Sequence, residues 1–199
     1  MTLSTATLAG YYCRLHHKFQ GQGVLFDRSW GLDDLSTADQ LQWVNEQLGL
    51  DEGNGFNHLC FGNLVERLIL LSPSELKMLL CGLGALAMRG HLRHCIDGTR
   101  LRDLRRTVGP DAFNALMQRH VRLEVKSVSL EWSVDSLCVD GLRQVVASAD
   151  NAFTLPVSLL KFSLPKQFAN IAQLPVTVSM LLPIPELKVL YPEFRWLFG

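Results

Sequence analysis

The feature that most constrains the fold is a capped and almost continuously apolar segment in the middle of the chain. Ser72–Pro73–Ser74–Glu75 has the form of a capping box, in which a serine and a glutamate three residues later satisfy the free backbone N–H groups of a helix start. Proline is already shaped for the first helical turn. The helix that follows is apolar nearly all round, with Leu76, Leu79, Leu80, Leu83, Leu86 and Ala87. We therefore expect it to be the central buried helix.

Length and composition favour one folded domain. A chain of 199 residues can bury about 70% of the surface that its unfolded form exposes, so it needs no disulfide or metal to hold it together. Hydrophobic residues make up 48% and charged residues 19%, which excludes a disordered, highly charged tail. We predict a mainly α fold in a single compact domain over residues 1–199, with minor β or extended segments in the C-terminal half.

Three regions differ in their patterns. Residues 1–35 contain four glycines and predict a loosely structured start. Residues 36–121 predict the helical core, which begins at a helix capped by Ser36 and Asp39. Residues 122–199 are mixed and rich in proline, and they end in a short helix that starts at Pro185.

Several local elements follow from the same signals. A second helix is expected from about Asn57 to Leu71, and an arginine-rich helix restarts at Thr99. Between Arg122 and Leu130 a strand and an extended loop both remain open, because the alternation is only partial. Asp135 or Ser136 is expected to cap a helix that runs to about Ala149, and Val157 to Leu164 is favoured as a short strand.

Export and membrane insertion are not indicated. The N-terminus lacks the basic start and apolar run of a secretory signal. The longest apolar stretch, Met78 to Met88, is shorter than the about 20 residues that cross a bilayer. Five irregularly spaced cysteines then suggest reduced thiols in a cytoplasmic protein.

Charge is strongly segregated although the formal net charge is zero. Residues 27–66 hold eight acidic residues and one arginine, whereas residues 89–126 hold nine basic and four acidic residues. Opposite charges on two surfaces would orient a protein between two partners. We hypothesise that one docking face consists of Arg93, Arg100, Arg102, Arg105 and Arg106, and the other of Asp33, Asp34, Asp39, Asp51 and Glu52.

Candidate chemical sites are weak. Cys13 with His16 or His17 has the residue types for thiol catalysis, but the stretch around it is expected to hold reacting atoms poorly. His91, His94 and Cys95 lack a CxxC pair, and Cys81 lies too far along a helix to join them around zinc.

The glycines and the arginines suggest packing and contact surfaces rather than ligand sites. Gly82 and Gly84 lie inside the capped helix and are expected to let another helix approach. The run Arg102–Arg106 lacks the motifs of nucleic-acid binders, so it favours a solvated or protein-binding face. We predict no catalytic residue, no metal, no cofactor and no nucleic acid.

The central segments resemble a known family. Leu79–Ala87, followed by Arg89–Ile96, is similar to the signature helices of the K subunits of bacterial type III secretion systems, the SctK family that includes YscK. Leu101, Leu104, Val108, Phe113, Leu116 and His120 continue the resemblance, as does the end from Pro192 to Phe198.

The resemblance implies a role and partners. SctK proteins are cytosolic, mostly helical, non-enzymatic subunits of the sorting platform beneath the injectisome. They link the cytoplasmic domain of the inner-membrane ring protein SctD to the pod protein SctQ. A small Cys/His-dependent enzyme and a type III secretion chaperone remain as alternatives, although such chaperones are usually smaller and more acidic.

Overall fold

The computed structural model describes residues 4–20, 26–48, 60–118, 132–148, 154–168 and 182–198. These residues form helices joined by turns, and no strand occurs among them. The predicted mainly α fold is confirmed. The open choice between strand and extended loop over 122–130 lies outside the described residues.

The chain divides into two compact units. The first consists of Met1–Leu76 and Ala149–Gln173, and the second of Lys77–Ser148 and Leu174–Gly199. The single domain expected from length stays a prediction. Each unit is described below by itself.

The capping boxes form as predicted. In α4 (Pro73–Ala87), Ser72 Oγ accepts from the backbone N–H of Glu75 at 3.3 Å, and Glu75 Oε2 accepts from the N–H of Ser72 at 2.8 Å. In α2 (Thr37–Leu48), Ser36 Oγ accepts from the N–H of Asp39 at 3.2 Å. Both helices therefore begin where the free N–H groups find side-chain acceptors.

The N-terminal segment is more regular than predicted. Instead of a loose start, Thr5–Gln20 forms helix α1, which packs against α2 in the first unit. Tyr11 and Leu15, four residues apart, are buried, and the Tyr11 ring lies 5.6 Å from that of Phe61. Gly10 has open space around it and is tolerated. Burial of one helix face outweighs its weak helix propensity.

A half-buried lysine ties α1 to the segment that follows the third helix. Lys18 Nζ donates to the carbonyl oxygens of Ile69 and Leu71 at 2.6 and 2.7 Å. These carbonyls follow α3 (Leu64–Leu68), where they have no helical donor. Burial lowers the pKa of Lys18 from 10.5 to about 8, and the charge of Glu75 offsets part of this shift.

Helix α3 is shorter than the predicted Asn57–Leu71, of which residues 57–59 lie outside the described residues. Phe61 has a left-handed φ of 51°, which no helix accommodates, and Asn63 then caps the new start by accepting from the N–H of Glu66 at 3.0 Å.

The strand predicted over Val157–Leu164 is wrong. Thr154–Phe162 forms helix α9, which packs against α3. Pro156 falls in its first turn, where a missing N–H breaks no helical hydrogen bond. Leu160 and Leu164 are buried four residues apart, a helical spacing that the β-prone composition concealed.

Four aromatic rings fill the rest of the first unit. Phe162 lies 4.9 Å from Trp30 and 5.5 Å from Trp43 between ring centroids, and Phe26 meets it at 6.1 Å. Trp30 Nε1 donates to the carbonyl oxygen of Leu164 at 3.0 Å. The indole N–H of Trp30 thus has an acceptor while its ring packs in the cluster.

The second unit is built where α4 crosses α8 (Val134–Ser148). A Cβ on Gly84 would collide with the backbone carbonyl of Leu137, and one on Gly141 would collide with the carbonyl of Leu80. The two backbones therefore touch directly, as predicted for Gly84, whereas Gly82 faces the side chain of Tyr191 instead of another helix. Helix α8 is capped by Ser133, whose Oγ accepts from the N–H of Ser136 at 3.1 Å, rather than by Asp135 or Ser136.

Short helices surround this crossing. They are α5 (Arg89–Leu92), α6 (Gly98–Val108), α7 (Pro110–Gln118) and α10 (Ile184–Leu190), with a 3-10 segment over Pro192–Leu197. Helix α7 contacts α5, α6 and α10. Tyr191 fills the space that Gly82 leaves, and its hydroxyl donates to the carbonyl oxygen of Met78 at 3.0 Å. Burial raises the pKa of Tyr191.

We expect Gly84→Ala to destabilise the protein. The added methyl group meets backbone, which cannot rotate away, so the free energy of unfolding should fall by about 2 kcal/mol despite the better helix propensity of alanine. Gly90→Ala is the matched control, because α5 leaves open space there. Denaturant unfolding measures both, and equal stability of the two variants would contradict the α4–α8 contact.

The low pKa of Lys18 predicts a pH dependence of stability. Between about pH 8 and 10.5 the unfolded chain holds this proton more tightly than the folded chain, so the contribution of Lys18 rises with pH. The unfolding free energy of wild type minus that of Lys18→Met should therefore increase by up to about 1.4 kcal/mol per pH unit in that window. Urea unfolding at pH 7.5, 8.5 and 9.5 tests this, and a constant or shrinking difference would refute it.

Candidate partner-binding surfaces

Helix α6 presents a basic surface because its apolar side is anchored. Leu104 and Val108, four residues apart, are buried. On the opposite side Arg102, Arg105 and Arg106 are exposed at spacings of three and four residues, which place them on one helix face. We call these three arginines the basic face.

The helix start is fixed by Asp97. Its Oδ1 accepts from the backbone N–H groups of Thr99 and Arg100 at 2.9 and 3.2 Å, which caps α6 just before the predicted start at Thr99. A negative side chain at a helix N-terminus is also favoured by the helix dipole. The orientation of the basic face is therefore set at both the cap and the buried stripe.

Two of the five predicted arginines lie apart from the basic face. Arg93 follows α5 and is half-buried, outside α6. Arg100 is in the first turn of α6 but on another side of it, where its Nε lies 3.2 Å from Asp97 Oδ2. The structure thus brings together three of the predicted residues and divides the other two from them.

The predicted acidic residues belong to the first unit. Asp33, Asp34 and Asp39 are all exposed. Asp33 lies 3.7 Å from Arg28, and Asp39 accepts from Ser36 Oγ at 2.6 Å, so both have internal partners. The other two predicted acids, Asp51 and Glu52, lie outside the described residues. The acidic face is therefore placed only in part.

A cleft that the sequence analysis did not identify lies within the second unit. Its volume is about 430 Å³, and it lies between α6 and the start of α8. The side chains that give it character are Lys77, Arg100, Asp103, Arg106, Trp132 and Asp135. No local sequence motif indicates this cleft, because its residues come from three segments that only the fold brings together.

Ion pairs organise the cleft. Lys77 Nζ lies 3.2 Å from Asp135 Oδ1, and Arg106 Nη1 lies 3.9 Å from Asp103 Oδ1. Arg106 is therefore shared between the basic face and the cleft. The cleft and the basic face form one continuous surface along α6.

The candidate thiol and metal sites do not assemble. Cys13, His16 and His17 are exposed on α1. Across the part of the chain that the structure describes, no three His, Cys, Asp or Glu side chains come together as metal ligands. No helix in the described ranges is long and apolar enough to cross a membrane.

The buried cysteines act as packing residues. Cys81 in α4 and Cys138 in α8 are free and fully buried. A hydrogen bond with Cys138, together with burial, raises the pKa of the Cys81 thiol. Because the thiolate is the reactive form, we expect the Cys81 thiol to be unreactive in the folded protein.

We expect thiol reagents to separate the cysteines. Under native conditions Ellman's reagent should modify the exposed Cys13 and Cys60 first, while Cys81 and Cys138 react only after unfolding. Peptide mass spectrometry after timed labelling identifies the sites. Rapid native labelling of Cys81 would mean that the α4–α8 contact opens readily.

Comparison with known proteins supports a family assignment. The model of the family described as YOP proteins translocation protein K (YscK) matches residues 41–136, close to half of the chain. The match contains α4, the basic face and the residues that give the cleft its character. No curated protein and no solved structure matches the chain. The resemblance of the central segments is confirmed, and the match supports assignment of the chain to the YscK family of type III secretion proteins.

Proposed function

We propose that the protein is a non-enzymatic, cytosolic adaptor of a type III secretion system. It links the cytoplasmic domain of an SctD-like inner-membrane ring protein to an SctQ-like pod protein of the sorting platform. The match to the YscK family over residues 41–136 carries this proposal.

The distribution of charge supports a bridging role. The basic face belongs to the second unit, whereas the exposed Asp33, Asp34 and Asp39 belong to the first. An adaptor needs two distinct surfaces, and opposite charges steer each surface toward a different partner. One partner then meets the basic face and the other meets the acidic residues.

The packing supports a scaffold rather than a catalyst. The buried groups with raised pKa values, Cys81 and Tyr191, pack against α4 and α8 instead of opening into a cleft. Catalysis needs a nucleophile and a base within hydrogen-bond reach of each other and of a substrate. Cys13 lies exposed on the surface of α1, and solvent exposure excludes little water from the thiol.

Charge reversal of the basic face tests the proposal. Arg102→Glu/Arg105→Glu/Arg106→Glu should reduce co-purification of one of the two partners at least tenfold and leave the other unchanged, because the three exposed side chains contribute little to folding. Quantitative pull-down from cells that assemble the apparatus measures both partners.

The matched control reverses the other surface. Asp33→Lys/Asp34→Lys, which spares the helix cap at Asp39, should weaken the opposite partner. Recovery of an effector instead of the ring and pod proteins would indicate a secretion chaperone. Undiminished binding of both partners to the arginine variant would refute the assignment of the basic face.

A further inference from the structure

We propose that the cleft beside α6 and the exposed side chain of Ile96, four residues before Arg100, form a docking site for an acidic segment of a partner protein, one of whose carboxylates enters between Arg100 and Arg106. The inference rests on the proposed function, because it names the chemistry of the partner that meets the basic face. It adds a cleft and an apolar contact to a surface that charge alone had defined.

Both arginines keep free donors toward the cleft. A guanidinium carries five N–H donors, and two of its nitrogens can hold a carboxylate side by side. Arg100 engages Asp97 through Nε, and within the described chain its Nη atoms have no partner. Arg106 reaches Asp103 only at 3.9 Å, and its side chain is 77% exposed. An incoming carboxylate would find donors that the protein itself leaves unused.

The charges around the cleft favour a carboxylate over a run of phosphates. Three basic side chains, those of Lys77, Arg100 and Arg106, line it together with two acidic ones, those of Asp103 and Asp135. The net charge is positive, so an anion is attracted. The two carboxylates inside the cleft oppose a run of phosphates.

The aromatic side chain of the cleft, Trp132, also favours a protein ligand over a nucleic acid. Trp132 is only 5% exposed, which leaves no ring face for a nucleic-acid base to stack on. A protein segment needs no such platform. An acidic side chain on a folded partner therefore fits the cleft better than RNA or a lipid surface does.

Ile96 supplies the apolar part of the site. Its side chain is completely exposed, whereas the other large exposed apolar residues in the described ranges are 40–50% exposed. It lies four residues before Arg100, so the backbone keeps the two within about 14 Å. Burial of such a side chain in a pocket strengthens binding by about tenfold or more. A folded protein partner can offer that pocket, and the short acidic probe used below measures the carboxylate part of the site alone.

The first experiment measures the carboxylate site. Fluorescein-labelled hexaglutamate is titrated with the full chain at low salt, and anisotropy gives the dissociation constant. Arg100→Gln/Arg106→Gln should weaken binding at least tenfold. The control Arg28→Gln/Arg195→Gln removes the same charge from exposed arginines outside the cleft and should change binding less than twofold.

Competitors decide between ligand classes. Inorganic phosphate, oligouridine and vesicles of 20% phosphatidylglycerol in phosphatidylcholine are added to the complex. We expect hexaglutamate to remain bound in the presence of each of the three competitors at equal charge concentration. Equal weakening in both arginine variants, or tighter binding of oligouridine or vesicles that depends on Arg100 and Arg106, would overturn it. Arg106→Gln alone, at a highly exposed position, guards against misfolding and should still weaken binding about threefold.

The second experiment separates failure of this inference from failure of the proposed function. Wild type, Ile96→Ser, Arg100→Gln/Arg106→Gln and the control Val189→Ser are used to co-purify ring and pod proteins. Ile96→Ser and the arginine variant should each lose one and the same partner at least tenfold, and Val189→Ser should lose neither. If wild type recovers neither protein, the proposed function is wrong. If all variants recover both as wild type does, the function stands and the docking site is wrong.

Discussion

The backbone contact between α4 and α8 is the constraint on which the second unit depends. Gly84 and Gly141 each face a carbonyl of the opposite helix, so neither position has room for a side chain. Close approach increases the dispersion contacts of the leucines around the crossing, and Leu80 and Leu137 are fully buried there. The capping box fixes where α4 begins, and the glycines fix how closely α8 can lie.

The same construction explains why the interaction surface can be polar. Helix α6 needs only its stripe of Leu104 and Val108 to remain attached, so its other sides are free to carry charge. Arg106 lies at the boundary between the basic face and the cleft, where one residue serves both. The buried crossing of α4 and α8 stabilises the second unit, whereas the surface helix α6 carries the charges that we propose for recognition.

Sequence patterns predicted the helix starts that have local signals. They did not predict the helices whose conformation depends on burial against distant residues. The structure confirms the helix starts predicted at Ser36, at Ser72 and near Thr99, because capping needs only residues three or four apart. Helices α1 and α9 were missed or misread, since their composition is weakly helical and only their partners in the first unit stabilise them. The cleft escaped prediction for the same reason: Lys77 and Asp135 are far apart in sequence and meet only through the α4–α8 crossing.

By itself, the sequence determined the mainly helical class, the start of α4, the amphipathic arginine helix and the resemblance to the YscK family. Each of these depends on residues that interact within a few turns or on a continuous stretch of the chain. Only the tertiary structure decided which arginines share a face, which acids are already paired, and that a cleft joins three separate segments. Such pairings depend on contacts between residues distant in sequence, and no local spacing encodes those distances.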